Sequence, residues 1–407
     1  MNKPFFINNQ SVLTFDQLLT SIEEANTYYP CLKTKNLFDH WINFIKALIF
    51  NKPITLIDSD LQDSELAALK LDDLINIEVE CPKLSIYTFS ELLDLIRKSS
   101  SEIIIFTSGT TGQPKNVIHS VQSLTRSIKV SEKHRSNLWG FAFNPTHMAG
   151  IQVFFQALFN ENTMVNVFGL SKDEIYTTIE IQKITHISAT PTFYRLLIPP
   201  NFPLQMVERV TLGGEKASAN LITNIKSIFT NAKITNIYAS TEAGSLFVSD
   251  GEFFSIPDNI KSQIKFDKDE ILIHESLLGK SDSLVTDNGY YRTGDLIEWV
   301  GEHGMKFRFK SRINELINIG GYKVNPNEVE EAILSFPEVA AVNVFGKQNS
   351  VLGNILCANI QLKKEQIISE NTLRLELKKS LQEFKIPRRI IFVDQIELTR
   401  TGKTKRL

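Results

Sequence analysis

From Ile103 to Ser240, short apolar runs end one after another in glycine-rich or polar turns, and most lead into a stretch with helical spacing. Ile103-Ile104-Ile105-Phe106 runs into a glycine-rich loop. Phe141-Ala142-Phe143 leads to a helix through Phe154, Phe155 and Leu158. Met164 to Phe168 reads as a strand, and His186 to Ala189 passes through Thr190-Pro191 into another helix. Val210-Thr211-Leu212 ends at Gly213-Gly214, and Ile234 to Tyr238 ends at a polar turn. Strands that alternate with helices argue for α/β sheets with helices on their faces. In such sheets ligands sit beyond the carboxyl ends of the strands. The loops after Phe106, Leu212 and Tyr238 are therefore where a site is expected.

The flanks have a different texture. Leu13, Phe15, Leu18, Leu19 and Ile22 predict a helix over 12–30, and Trp41, Phe44, Ile45, Leu48 and Ile49 a second over 36–50. A short strand is expected at Pro53 to Asp58 and a helix from Ser90 to Ser99. After about residue 250 the pattern turns β-rich, with Ile271 to His274 and Lys306 to Lys310 as short alternating strands. A last block has its own apolar set: Val329, Ala332, Ile333 and Leu334 on a helix, Ala340 to Phe345 and Ile355 to Ile360 as strands, and a helix from Leu373 to Leu381. The expected architecture is an α/β chain with a large N-terminal domain, 1–312, of α/β sheets plus a small β-rich subdomain. A small α+β C-terminal domain, 313–407, follows it.

Composition narrows the functional classes. A chain of 407 residues is too long for one small core. A net charge of −2 provides no basic field for nucleic acid or anionic lipid. Cys31, Cys81 and Cys357 are far apart and form no metal spacing, which fits three free thiols in a reducing compartment. No run approaches the ~18 apolar residues of a membrane span, and the first residues lack the apolar stretch of a signal peptide. A cytoplasmic location is expected.

The loop Thr107-Ser108-Gly109-Thr110-Thr111-Gly112-Gln113-Pro114-Lys115 follows an apolar strand. Its glycines permit sharp turns and close approach. Successive N–H groups can form an anion-binding nest. The hydroxyls add donors, and Lys115 adds a cation. It is not the GxxxxGK[ST] loop, because the lysine follows a proline. On composition alone, a solvated turn explains it equally well.

The spelling of this loop resembles the signature of the adenylate-forming superfamily, which includes acyl- and aryl-CoA ligases and carrier-protein adenylation domains. Further resemblances follow in the family's order. Tyr238-Ala239-Ser240-Thr241-Glu242 is similar to its Tyr-Gly-x-Thr-Glu segment. The resemblance implies that Tyr238 stacks on adenine, Thr241 contacts the α-phosphate and Glu242 holds Mg²⁺. Tyr291-Arg292-Thr293-Gly294-Asp295 resembles the segment whose aspartate binds the ribose hydroxyls, and Arg312 matches an arginine that reaches the nucleotide. Gly213-Gly214-Glu215 matches a loop lying along the adenine, and Lys403 the catalytic lysine near the C-terminus. Gly320-Gly321 matches a loop that admits a thiol when the C-terminal domain, a mobile lid, rotates. His147 stands where related ligases carry an aromatic residue or His at the mouth of the acyl pocket. A packed His near a helix start is the equally weighted alternative. Taken alone, Glu242 reads as an exposed loop acid and the Lys403 segment as a solvated basic tail.

The resemblance runs from about residue 100 to the end; the first ~100 residues match loosely and look shorter than the family's usual N-terminal region, and the chain reads as an unusually short member similar to o-succinylbenzoate–CoA ligases. It implies ATP and Mg²⁺, with coenzyme A or a phosphopantetheine carrier protein as thiol acceptor. The implied chemistry is activation of an acyl or aryl acid as acyl-AMP, then thioester formation. Loading of a carrier protein by a stand-alone adenylation enzyme is the alternative within enzymes. A non-catalytic nucleotide-binding relative is the alternative from another class.

Overall fold

The structure is a computed structural model that describes residues 3–24, 26–107, 115–215, 217–300, 306–319, 322–349 and 353–398. A 14-stranded sheet organises the first three-quarters of the chain. Its middle is parallel: Thr163–Asn166, Leu138–Phe141, His186–Ala189, Arg209–Gly213 and Lys233–Ser240 lie side by side. Helices connect most of these strands, which is the α/β arrangement read from the sequence. Beyond Ser240 the chain reverses, and Gly244–Asp250 pairs antiparallel with Lys233–Ser240. The β-rich strands Glu270–His274, Tyr290–Val300 and Lys306–Arg312 extend the sheet further.

The first residues close the opposite edge. Pro4–Asn8 lies parallel to Thr163–Asn166, and Phe5 and Phe6 are fully buried. The helix expected over 12–30 is shorter, Phe15–Glu23, because Ser11–Thr14 is a strand paired back onto Pro4–Asn8. Thr14 then caps the helix, and Gln17 returns the bond in a capping box. The helix Leu37–Ile49 follows its predicted apolar stripe, with Asn36 as N-cap. Trp41 stacks on Phe154 of the helix Met148–Phe159, with ring centroids 4.3 Å apart and planes at 11°. Large aromatic faces buried in this way contribute heavily to a core.

A second, three-stranded sheet holds the strands on either side of residues 108–114. Ile54–Leu56 runs parallel to Ile103–Thr107, which pairs antiparallel with Lys115–His119. Residues beyond 316 build a separate apolar cluster around Val324, Val329, Val344 and Ile360. Three strands, Val339–Asn349, Gly353–Leu362 and Arg389–Phe392, back that cluster. No described helix is long and apolar enough to cross a membrane. The three cysteines are buried free thiols.

Candidate functional site

The parallel strands ending at Phe141, Ala189, Gly213 and Ser240 are neighbours in one sheet, so their carboxyl ends open on the same edge. The loops that follow carry Asn144 to His147, Thr190, Gly213 to Glu215, and Thr241-Glu242. Of the three loops singled out in the sequence, those after Leu212 and Tyr238 leave this edge, whereas the one after Phe106 leaves the separate three-stranded sheet.

The most fully connected cluster joins Tyr238, Asp295 and Arg312. The Tyr238 hydroxyl donates to Asp295 Oδ2 at 2.6 Å, and Arg312 Nε lies 3.3 Å from Asp295 Oδ1. Asp295 and Arg312 face each other across the pairing of Tyr290–Val300 with Lys306–Arg312. Burial pushes the Asp295 carboxyl above the ordinary carboxylate range; Arg312 and the Tyr238 hydroxyl work against that shift. The Tyr238 ring stacks on Phe309, with centroids 4.5 Å apart. Arg312 Nη2 also donates to the Thr293 carbonyl at 3.4 Å.

A residue absent from the sequence reading holds this turn. Glu270 is 4% exposed; its carboxylate accepts from Gly294 N at 2.9 Å and from Arg292 Nη2 at 2.5 Å. It therefore fixes the backbone just ahead of Asp295. The sequence clue was slight, an acid at the head of the apolar run Ile271-Leu272-Ile273.

Thr241 and Glu242 follow Tyr238 within four residues, at the strand end. The Glu242 carboxylate makes no ion pair or hydrogen bond with the described residues, yet its charge reaches His119, Asp295 and Arg312. The described residues contain no cluster of three or more metal-ligating side chains. A single open carboxylate fits Mg²⁺, which takes its remaining ligands from phosphate and water, better than a metal caged by protein.

The loop that carries Asn144 to His147 is organised by Asp58, also missed in the sequence. It ends the segment Leu56-Ile57-Asp58, directly after the strand beside Ile103–Thr107. Asp58 Oδ1 accepts from Asn144 Nδ2 at 2.8 Å and from the Thr146 hydroxyl. His147 Nε2 lies 3.5 Å from Asp58 Oδ2, without hydrogen-bond geometry. Burial pushes the Asp58 carboxyl up; its contacts with His147, Thr146 and Asn144 outweigh this and hold it down to about 2. His147 is the N-cap of Met148–Phe159. The loop lies so close to this helix that any Cβ at Gly150 would overlap the Asn144 carbonyl.

Glu215 is engaged in the fold. Its carboxylate accepts from the Thr192 hydroxyl at 2.8 and 3.0 Å and meets Arg195 at 3.5 Å, joining the Gly213-Gly214 turn to the helix Pro191–Leu196. Ala239 sits opposite Ser245 in the antiparallel pairing. Lys115 is exposed at the start of its strand, in register with Thr107. Ser108, Gly109, Thr110, Thr111, Gly112, Gly320, Gly321 and Lys403 lie outside the described residues, as does the Thr107 side chain.

Solved structures share this fold. The o-succinylbenzoate CoA synthetase of Bacillus subtilis, in complex with its acyl-adenylate intermediate, aligns with a TM-score of 0.74 at 19% identity, covering 99% of this chain and 94% of that one. ATP-bound MatB of Rhodopseudomonas palustris aligns with a TM-score of 0.76 at 16% identity, covering 99% and 94%. Among curated proteins, the peroxisomal trans-cinnamate:CoA ligase of Petunia hybrida is 26% identical over 352 residues, 75% of this chain. A 2-succinylbenzoate–CoA ligase of Staphylococcus aureus is 27% identical over 328 residues, 74% of this chain. The matches span 61% and 65% of the length of these two relatives. The 2-succinylbenzoate–CoA ligase of Staphylococcus epidermidis is 22% identical, with 100% of this chain and 94% of the relative covered. The family model of the AMP-binding enzyme C-terminal domain matches residues 328–403. That of the AMP-binding enzyme itself matches 58–264, just over half of the 407 residues, and so takes in Thr107 to Lys115 and Tyr238 to Glu242: the chain belongs to the AMP-binding enzyme family.

Proposed function

We propose that the protein joins a carboxylic acid to the α-phosphorus of ATP, expelling pyrophosphate, and passes the acyl group to the thiol of coenzyme A. The observation that supports this most is the linked set Tyr238, Asp295 and Arg312, with Thr241-Glu242 at the end of the same strand. In this reading Asp295 accepts from the ribose hydroxyls, and Arg312 helps keep it ionised. The Tyr238 hydroxyl orients Asp295, while the Tyr238 ring is stacked on Phe309 and Phe247 and supports the pocket from within the protein. Thr241 donates to the α-phosphate, and the loop 107–115 binds the outer phosphates through its N–H groups.

Two anions must approach each other in the first step, so repulsion is the main obstacle. Lys403 is the residue suited to bridging the carboxylate and α-phosphate oxygens as a point charge. Mg²⁺ held by Glu242 supplies neutralising charge at the phosphates when bound. Residues 313–407 act as a separate lid domain, and Gly320-Gly321 lines the path of the thiol. The acid is an aryl or acyl carboxylate received beside His147. The acids named for the plant and staphylococcal relatives, cinnamate and 2-succinylbenzoate, both carry an aromatic ring.

The test supplies ATP, Mg²⁺ and a panel of acids beginning with cinnamate, benzoate and 2-succinylbenzoate. Pyrophosphate release is followed, and the thioester is sought with coenzyme A and, in parallel, with a phosphopantetheinylated carrier protein. Release that depends on the acid, and a coenzyme A thioester, are expected. Tight ATP binding without pyrophosphate release for any acid would overturn the enzymatic reading.

A further inference from the structure

Three segments meet at His119. The strand Lys115–His119 leaves the phosphate loop, the turn Thr241-Glu242 ends the strand Lys233–Ser240, and residues 277–280 run between them. His119 is 3% exposed, and its Nε2 lies 2.7 Å from the Thr241 carbonyl oxygen, across 122 residues of sequence. A carbonyl can only accept, so Nε2 carries the proton and donates it. Burial lowers the imidazole's pKa, which favours this neutral form. Nδ1 is 3.1 Å from the Ser123 hydroxyl, which limits rotation of the ring.

The turn is held on its other side as well. The Glu242 carbonyl accepts from Gly279 N at 2.7 Å, and Ile118 and Lys280 exchange two backbone hydrogen bonds of 2.8 Å. A Cβ at Gly279 would come within 2.6 Å of His119 Cε1 and of Val117 Cγ1, and 2.8 Å of His119 Nε2. Glycine at this position is what lets residues 277–280 lie against the ring. Two consecutive carbonyls, of Thr241 and Glu242, are thus clamped from outside the turn, one by a side chain on the phosphate-loop strand.

We propose that His119 is a positioning residue that locks the Thr241-Glu242 turn to the phosphate-loop strand, so that the Mg²⁺ carboxylate and the outer-phosphate loop keep one mutual geometry. The proposal rests on the ATP reading above and adds to it a coupling between metal and phosphates. His119 touches neither. It acts through the Thr241 backbone, so its loss weakens the contribution Mg²⁺ makes to ATP binding and leaves the nucleoside end, Tyr238 and Asp295, intact.

Titration calorimetry on the full chain tests this with three probes: adenosine, ATP in EDTA, and ATP with Mg²⁺. The variants are His119→Ala, His119→Gln and Gly279→Ala. Loss of one buried hydrogen bond predicts that His119→Ala weakens ATP·Mg²⁺ binding about tenfold, ATP in EDTA by less, and adenosine not at all. Gly279→Ala displaces the ring without removing it and should follow the same order. His119→Gln, whose amide can donate from near the Nε2 position, should recover most of the loss. Equal weakening of all three probes would mark a general packing role and overturn the proposal, as would unchanged ATP·Mg²⁺ affinity. If His119→Ala does not fold, Gly279→Ala and His119→Gln decide between these outcomes. Failure of the wild-type chain to bind ATP would overturn the ATP reading itself, and the proposal with it.

Discussion

Asp58→Asn should lower the stability of the protein in a way that depends on pH. The Asp58 side chain is 12% exposed, and its carboxyl is held down to about 2 from an ordinary 3.8. A group whose folded pKa is depressed contributes stability that is fully present above its unfolded value and is lost as the pH falls through its folded value. The shift corresponds to about 2 kcal/mol at neutral pH, at 1.36 kcal/mol per unit. By the same linkage, roughly half of that remains at pH ~3, and little below pH ~2. Asn keeps the size and one acceptor but not the charge beside His147. The melting temperature at pH 7 should fall by about 4–8 °C if the unit that melts is some 150–250 residues, and by less if it is larger. Thermal melts of both proteins by circular dichroism, from pH 7 down to pH 3, measure the difference. A variant as stable as the wild type at pH 7 would refute the reasoning. So would a difference that does not shrink toward pH 3, because the effect would then belong to packing and not to the charge.

Asp295→Ala should weaken adenosine and ATP binding at least tenfold, read by calorimetry, because it removes a buried acceptor and leaves Arg312 unpaired. Since burial raises the Asp295 pKa, ATP affinity of the wild type should begin to fall on acidification at a higher pH than an ordinary carboxylate would give. Glu270→Gln should cost about 1–3 kcal/mol in a denaturant titration and weaken nucleotide binding, since it disturbs the Arg292 and Gly294 contacts ahead of Asp295. Lys403→Ala should reduce pyrophosphate release on the order of 10²–10³-fold with ATP affinity nearly unchanged. Comparable loss of both would place Lys403 in binding.

The local parts of this fold were legible in the sequence because their causes are local. Apolar runs at 103–106, 186–189 and 234–238 are strands, and the stripe from Trp41 to Ile49 is a helix. Residues 12–14 carry a helical apolar spacing yet form a strand, because their pairing with Pro4–Asn8 decides it. The same distinction separates the site residues. Tyr238, Asp295 and Arg312 were readable through the spelling of their segments, and the structure brings them into contact. Asp58, His119 and Glu270 were not, because each acts through a partner distant in sequence. Thr146 is 88 residues from Asp58, Thr241 is 122 from His119, and Gly294 is 24 from Glu270. His119 gave only the hint of a polar residue ending the run Val117-Ile118.

The stack of Trp41 on Phe154 separates two meanings of a boundary. The family pattern begins at residue 58, but Phe154 and the strand Thr163–Asn166 are completed by residues that precede it. A chain started at 58 would bare the face of Phe154, turn Thr163–Asn166 into an open edge and leave the sites of Phe5 and Phe6 empty. The segment matched by the family model is therefore smaller than the segment that folds. Anyone exchanging the family-model segment between relatives must carry the first 57 residues with it, although they spell out nothing of the chemistry.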